Sequence, residues 1–311
     1  MHYKTDILKS IDGESFCYYK WIASPEVPFK GVVQIAHGLG EHAGRYDDIA
    51  HRLQLEGYSV YANDHRAHGK TAELKRLFGY YNGEEYFEDC VSDMHMLSEL
   101  MRSEHPQSKF ILFGHSMGSL LSRKYVTKHG AELDALILSG TASFIRGLGN
   151  IGLVTATAVT TFRGRARSND LLKSFFFGEF NKKFKPNRTT LDWISSDEKQ
   201  VDLFAEDPYR IEDFSLGVFL DVIKNSKKLN KPEAFNATPK DLPVLIFSGD
   251  KDPVGEMGKG VTRVAKQYER HGMTDLTFKL YEGGRHEMLN ETNAEEVKQE
   301  LLGWLKSRMQ D

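Results

Sequence analysis

Short apolar runs alternate along this chain with segments whose apolar residues recur every three or four positions. Gly31-Val-Val-Gln-Ile-Ala-His37 is a β-branched run that ends at glycines, the pattern of a buried strand entering a loop. Residues 45–56 then place Ile49, Leu53 and Leu55 at helical spacing, with Gly57 where a C-terminal cap is expected. Residues 58–63 read as the next strand. Residues 84–104 keep Phe87, Val91, Met94, Leu97 and Met101 on one helical stripe, and Pro106 follows the stop. A strand at 110–113, a helix at 119–129 and a strand at 135–139 come next. This alternation predicts an α/β fold, a mostly parallel sheet with helices on both faces. The pattern lapses after residue 140. It resumes with a strand at 243–248, a helix at 256–270, a strand at 276–281 and a helix at 293–308.

The lapse divides the chain into an expected core, residues 1–140 and 241–311, and an expected helical cap, residues 141–240. That interval holds 11 of the 19 phenylalanines, and its 16 Lys plus Arg exceed its 12 Asp plus Glu. A Phe-rich, locally cationic insertion suits a cap over an apolar binding site. It equally suits a helical subdomain whose phenylalanines fill their own core, and the two readings can share residues. Within it, residues 151–162 are apolar and flanked by Arg146, Arg163, Arg165 and Arg167. Twelve residues are too few for a bilayer span, which needs about 20. They fit a helix that touches a lipid surface transiently or one that shapes a binding tunnel.

Composition narrows the class. A 311-residue chain with 40% apolar, 27% charged and 11% aromatic residues is an ordinary folded protein, and disordered, collagen-like and coiled-coil chains are excluded. Its 41 Lys plus Arg against 44 Asp plus Glu leave a net charge of −3, no electrostatic case for nucleic-acid binding. The first residues contain no apolar stretch followed by a small-residue cleavage site, so a cytoplasmic location is expected. Cys17 and Cys90 lack CxxC spacing and are expected to be reduced bystanders.

The candidate chemistry begins at Gly114-His-Ser-Met-Gly118, a G-x-S-x-G pentapeptide between a predicted strand and a predicted helix. A sharp strand-to-helix turn lifts its serine out of the backbone, and glycines two residues either side avoid collision with neighbouring chain. Ser116 is therefore the expected nucleophile. Its hydroxyl needs a base, and the base needs a carboxylate to orient it. On such a turn the acid and the histidine follow the serine, each on a loop past a strand's carboxyl end. Of the 12 histidines, His271 and His286 lie late enough; His271 sits at a predicted helix terminus, and His286 follows a strand across a glycine-containing loop. His286 is the expected base. Asp250 and Asp252 both follow the strand at 243–248. Asp252, further along the loop, is favoured for its reach to His286, while Asp250 suits the turn itself. Leu39, between Gly38 and Gly40, and Met117, after the nucleophile, are the expected backbone donors to an oxyanion. The pairs His37/His42 and His65/His68 match neither H-x-H-x-D-H nor H-E-x-x-H, so no metal is expected, nor any cofactor. A nucleophilic aspartate is excluded because position 116 is serine.

With these residues in view, the chain resembles the monoacylglycerol lipase and lysophospholipase branch of the serine α/β-hydrolases, the serine aminopeptidase S33-like group. The likeness spans nearly the whole chain and is carried by His37-Gly-Leu-Gly-Glu-His-Ala-Gly-Arg-Tyr46, Gly114-His-Ser-Met-Gly118, Gly249-Asp-Lys-Asp252 and Gly284-Arg-His-Glu287. In that branch the last aspartate of G-x-x-D is the triad acid, which supports Asp252. Asn63-Asp-His-Arg-Ala-His-Gly69 is similar to the family's D-x-R-G-H-G loop, with Ala67 in place of a glycine. The resemblance implies a mobile helical lid at 141–240 and a carboxylic ester hydrolase acting on single-chain lipid esters through an acyl-enzyme. Alternatives are a short-chain esterase, an aminopeptidase or amidase, and a non-catalytic binding protein. The loop reads HGLGEH and not the HGGPG of proline-specific relatives, which lowers the peptidase option.

Overall fold

The computed structural model describes residues 2–144, 146–168 and 180–309. Residue 145 and residues 169–179 of the expected cap, with Phe175, Phe176 and Phe177, and residues 1, 310 and 311 of the expected core lie outside the described residues. The strands are β1 (Lys4–Lys9), β2 (Ser15–Trp21), β3 (Gly31–Ala36), β4 (Tyr58–Asn63), β5 (Phe110–His115), β6 (Ala135–Ser139), β7 (Val244–Gly249) and β8 (Leu276–Tyr281). The helices are α1 (Asp47–Leu55), α2 (Gly69–Glu73), α3 (Tyr86–Glu104), α4 (Met117–His129), α5 (Arg146–Arg163), α6 (Glu198–Ala205), α7 (Leu216–Leu229), α8 (Pro232–Asn236), α9 (Lys259–Arg270) and α10 (Ala294–Arg308).

The eight strands form one sheet in the order β1-β2-β4-β3-β5-β6-β7-β8. β1 and β2 run antiparallel to their neighbours, and every pair from β4 to β8 is parallel. The expected α/β architecture is therefore present. β5 shows why its sequence reads as an unbroken apolar run: Ile111 and Phe113 enter one buried cluster, and Phe110 and Leu112 enter the other. A strand covered on both faces has no polar side to display. On one face α1 and α10 contribute Ile49, Leu53, Leu301 and Leu305; on the other α3, α4 and α9 contribute Met94, Leu97, Leu121 and Val264.

Two strands escaped the sequence pattern. The side chains of β1 are mostly exposed, and lysines stand at both its ends, a common guard on an unpaired sheet edge. β2 buries Phe16 and Tyr18 on one face and Cys17, Tyr19 and Trp21 on the other, so no alternation appears. Helix α9 begins three residues later than the periodicity suggests, because Glu256, Met257 and Gly258 all have positive φ.

Between β6 and β7 lie α5 to α8. Leu216, Leu220 and Ile223 of α7 pack with Ala156 of α5 in a small cluster of their own. Val218 and Phe219 of the same helix, with Phe214 and Phe235, join the main core. The segment thus has a private core and a shared one, as residues common to both readings allow.

A tight steric constraint falls at the β5–α4 turn. A Cβ on Gly118 would stand 1.9 Å from the carbonyl oxygen of Ala36, and one on Gly114 would stand 2.4 Å from that of Gly118. Gly118→Ala is expected to destabilise the protein by about 3 kcal/mol or more, seen as a lower urea midpoint. Gly303→Ala, on α10 with nothing near its added methyl, is expected to raise stability by about 0.5–1 kcal/mol.

Candidate active site

β3 and β5 are neighbours, yet the chain leaves β3 toward β4 on one side and β5 toward β6 on the other. Connections that part in this way open a crevice at the carboxyl ends of the strands. The loops after β3, β5, β6, β7 and β8 all emerge at those ends, carrying Leu39, Ser116, Gly140, Asp252 and His286.

Ser116 has φ 52° and ψ −119°, a backbone that side chains rarely adopt and that exposes its hydroxyl between strand and helix. Its N–H donates to the carbonyl of Ser139 at 2.9 Å. His286 reaches the same end of β6, where a Cβ on Gly140 (φ +57°) would stand 3.0 Å from His286 Cε1. His286 Nδ1 lies 3.0 Å from Asp252 Oδ2. Asp252, fully buried, also accepts from Ser248 Oγ and from Val254 N–H, each at 2.9 Å. Burial opposes the charge of Asp252, but His286 and these donors hold its pKa below the usual carboxylate value. Burial likewise opposes an imidazolium at His286, yet Asp252, aided by Glu287 and Glu41, outweighs it and the pKa ends above that of an ordinary histidine. A carboxylate on Nδ1–H leaves Nε2 free to take a proton.

The other late candidates lie elsewhere. Asp250 accepts from Gly283 N–H at 2.8 Å and braces the turn, while His271 caps α9 with Nδ1 2.7 Å from the Gln267 carbonyl.

The loop after β3 is held by neutral histidines. His65 N–H donates to His37 Nε2 at 2.9 Å, so the His37 proton is on Nδ1, 2.7 Å from the Gly38 carbonyl. Gly40 N–H donates to His68 Nε2 at 3.1 Å, and His68 Nδ1 faces the Arg66 carbonyl at 2.9 Å. Burial pushes His65 down to about 3 and His68 down to about 4, with His37 also well below its usual value. The rings of His37 and His68 serve the backbone, while His65 contributes only its N–H. Leu39 N–H, between the two anchored glycines, has no protein acceptor among the described residues. Met117 N–H opens α4 and has no intrahelical acceptor.

A buried ionic group went unnoticed in the sequence. Arg45 Nη1 and Nη2 meet both oxygens of Glu287 at 2.8 and 2.7 Å, and Nη1 also meets Glu41 Oε2 at 2.8 Å. Glu41 Oε1 accepts from Gly38 N–H at 2.5 Å and from Tyr46 Oη at 2.9 Å. Glu41 and Arg45 stand four apart inside the quoted motif, and Glu287 adjoins His286; those were the available signals. Glu41, Arg45, His115, Ser139 and Glu287 line a cavity of about 30 Å³. His115 Nδ1 lies 3.1 Å from Ser139 Oγ, and burial beside His286 pushes its pKa down to about 4.

The segment between β6 and β7 also reaches the site. Trp193 packs 5.2 Å from the His286 ring, the Ile194 carbonyl accepts from Glu287 N–H at 2.8 Å, and Ile211 N–H donates to the Gly40 carbonyl at 3.0 Å. Elsewhere His95, His129 and Glu132 are grouped closely enough for a metal. The two rings stack 3.9 Å apart, within 15° of parallel, so their lone pairs do not converge, and Arg102 holds the carboxylate at 2.8 Å.

Comparison with known proteins gives one consistent answer. The family described as serine aminopeptidase, S33, matches residues 28–293. The chain is 27% identical to a monoacylglycerol lipase of Mycolicibacterium smegmatis over 307 residues, covering 96% of this chain and 95% of that one. It is 25% identical to the Mus musculus monoglyceride lipase over 311 residues, covering 97% and 90%. Among solved structures, a thermostable carboxyl esterase from Bacillus coagulans, in complex with glycerol, superposes with a TM-score of 0.92 at 26% identity, covering 100% of each chain.

The raised pKa of His286 has a kinetic signature. If Nε2 takes a proton, kcat/KM for an aryl ester falls as pH drops through that pKa, so the acid limb is expected above pH 6.5. Asp252→Asn is expected to move the limb to lower pH and to cut kcat by about 10⁴-fold. A limb unmoved by the substitution would remove Asp252 from the base.

Proposed function

Because the chain belongs to the serine aminopeptidase S33 family of hydrolases, we propose that it is a carboxylic ester hydrolase cleaving single-chain lipid esters, a monoacylglycerol or a lysophospholipid. The observations that support the mechanism are Ser116 at positive φ, bonded to the end of β6 through Ser139, and, at the same end of β6, a histidine that a buried aspartate orients. Ser116 Oγ attacks the ester carbonyl while His286 Nε2 takes its proton. The tetrahedral oxyanion is held by Leu39 and Met117 N–H, donors left over by the protein's own hydrogen bonding. The carbon–oxygen bond to the alcohol then breaks, and His286 returns the proton to the departing oxygen. Water repeats the sequence on the acyl-enzyme, releasing the fatty acid and restoring the serine.

The lipid assignment rests on the monoacylglycerol and monoglyceride lipases to which the chain is similar and on the segment above the site. In this proposal residues 1–140 and 241–311 are the catalytic core and 141–240 the cap. Ile151, Val154 and Phe162 on α5 are 61%, 69% and 89% exposed, beside Arg163. Such a face suits brief contact with a lipid surface. No helix of the described residues is long and apolar enough to cross a membrane. Cys17 and Cys90 are buried and free of a disulfide, which fits a cytoplasmic setting. A second reading, a short-chain esterase, is favoured by the likeness to the Bacillus coagulans carboxyl esterase.

The test is fatty-acid release from a monoacylglycerol, a lysophosphatidylcholine and a short-chain aryl ester, measured side by side. Preference for one of the long-chain lipids is expected, with about a millionfold loss of kcat in Ser116→Ala. Turnover confined to the aryl ester would select the second reading; wild-type turnover by Ser116→Ala would remove the mechanism.

A further inference from the structure

The serine mechanism needs two loops in register, one presenting Leu39 N–H and one presenting His286. They come from opposite halves of the chain, 242 residues apart at the Arg45–Glu287 contact. A single guanidinium joins them. We propose that Arg45 is a positioning residue, whose fork, shared by Glu41 and Glu287, fixes the oxyanion loop relative to the histidine loop. The inference rests on the serine-hydrolase reading above.

Glu41 takes Gly38 N–H on one oxygen and Arg45 on the other, so the guanidinium sets where the peptide before Leu39 lies. His68 fixes the peptide after it through Gly40 N–H. On the far side both Glu287 oxygens lie on Arg45, and Oε2 also accepts from Asn290 at 2.8 Å, while Glu287 N–H is bound to Ile194. A shift of either loop breaks a charged hydrogen bond held by the other. The three side chains are only 11%, 5% and 8% exposed, so water cannot replace a lost partner cheaply. Phe204 closes the assembly, 4.2 Å from the guanidinium carbon. Only arginine offers planar donors to two carboxylates at once; lysine keeps the charge and loses the fork.

Two carboxylates about one guanidinium leave one net negative charge near His286. The charged and titratable groups that act on that ring include Asp252, Glu287, Glu41 and His115, with Arg45 held between the two glutamates. Removing a negative charge among them disfavours the imidazolium, whereas exchanging arginine for lysine conserves charge. The two substitutions therefore separate geometry from electrostatics.

The experiment measures the rate of fluorophosphonate labelling at Ser116, aryl-ester kcat and KM, and the pH profile, in Arg45→Lys and Glu287→Gln, with folding checked by circular dichroism. Arg45→Lys is expected to slow labelling and kcat about 100-fold, with KM changed less than about threefold and the acid limb in place. Glu287→Gln is expected to slow both by at least about tenfold and to move the limb to lower pH. If Arg45→Lys fails to fold, Glu287→Gln decides alone. Folded variants that label at the wild-type rate overturn this inference and leave the serine mechanism standing. A wild-type protein that resists labelling overturns the serine mechanism and this inference with it.

Discussion

The site is organised by how closely helix α4 approaches strand β3. Gly118 lies so near the Ala36 carbonyl that no side chain fits, and the helix begins one residue after Ser116. That contact forces the left-handed turn at Ser116, and it brings the first N–H of α4 beside the loop that leaves β3. The placement of the proposed nucleophile and of the first α4 donor is therefore a consequence of one steric limit. The parallel sheet then delivers the remaining groups, because β7 lies beside β6 and β8 beside β7, and all end at the same edge.

Electrostatics is the second layer. Burial penalises every ion around the crevice, and the protein answers with two distinct solutions. Asp252 keeps its charge by collecting three donors, whereas at Asp64, beneath the loop after β3, burial raises the pKa even though Tyr19 Oη, Ala43 N–H and Lys70 N–H oppose it. Histidines 37, 65, 68 and 115 instead lose theirs and become neutral acceptors or spacers. His286 is the exception, raised by the aspartate at its Nδ1. One ring that gains basicity among several that lose it is how a cluster of chemically identical groups yields a single base.

The sequence disclosed the parallel part of the sheet because strands buried on both faces are apolar throughout and the helices between them carry clean stripes. It concealed β1 and β2, whose residues obey edge exposure and aromatic packing and show no period of two. Ser116 and His286 could be singled out from order and spacing, since each must follow a strand; spacing leaves Asp250 beside Asp252, which is favoured for its reach and supported by the G-x-x-D resemblance. The Glu41–Arg45–Glu287 group could not, because linear separation says nothing about which loops converge. The same holds for Trp193 and Ile194, which occupy a stretch without periodicity and meet the site only through the folded path of the chain.

Two of the hydrogen bonds between the 141–240 segment and the crevice run from backbone to backbone, Glu287 to Ile194 and Ile211 to Gly40. Such bonds are indifferent to side-chain identity. Exchanging side chains of the segment leaves those two attachments in place, whereas its contacts through Trp193, Phe204 and Asp207 depend on which residue stands there. In evolutionary terms the scaffold separates what is free to drift from what is not: one part of the attachment is written in the main chain and tolerates exchange, the other in a few side chains and does not.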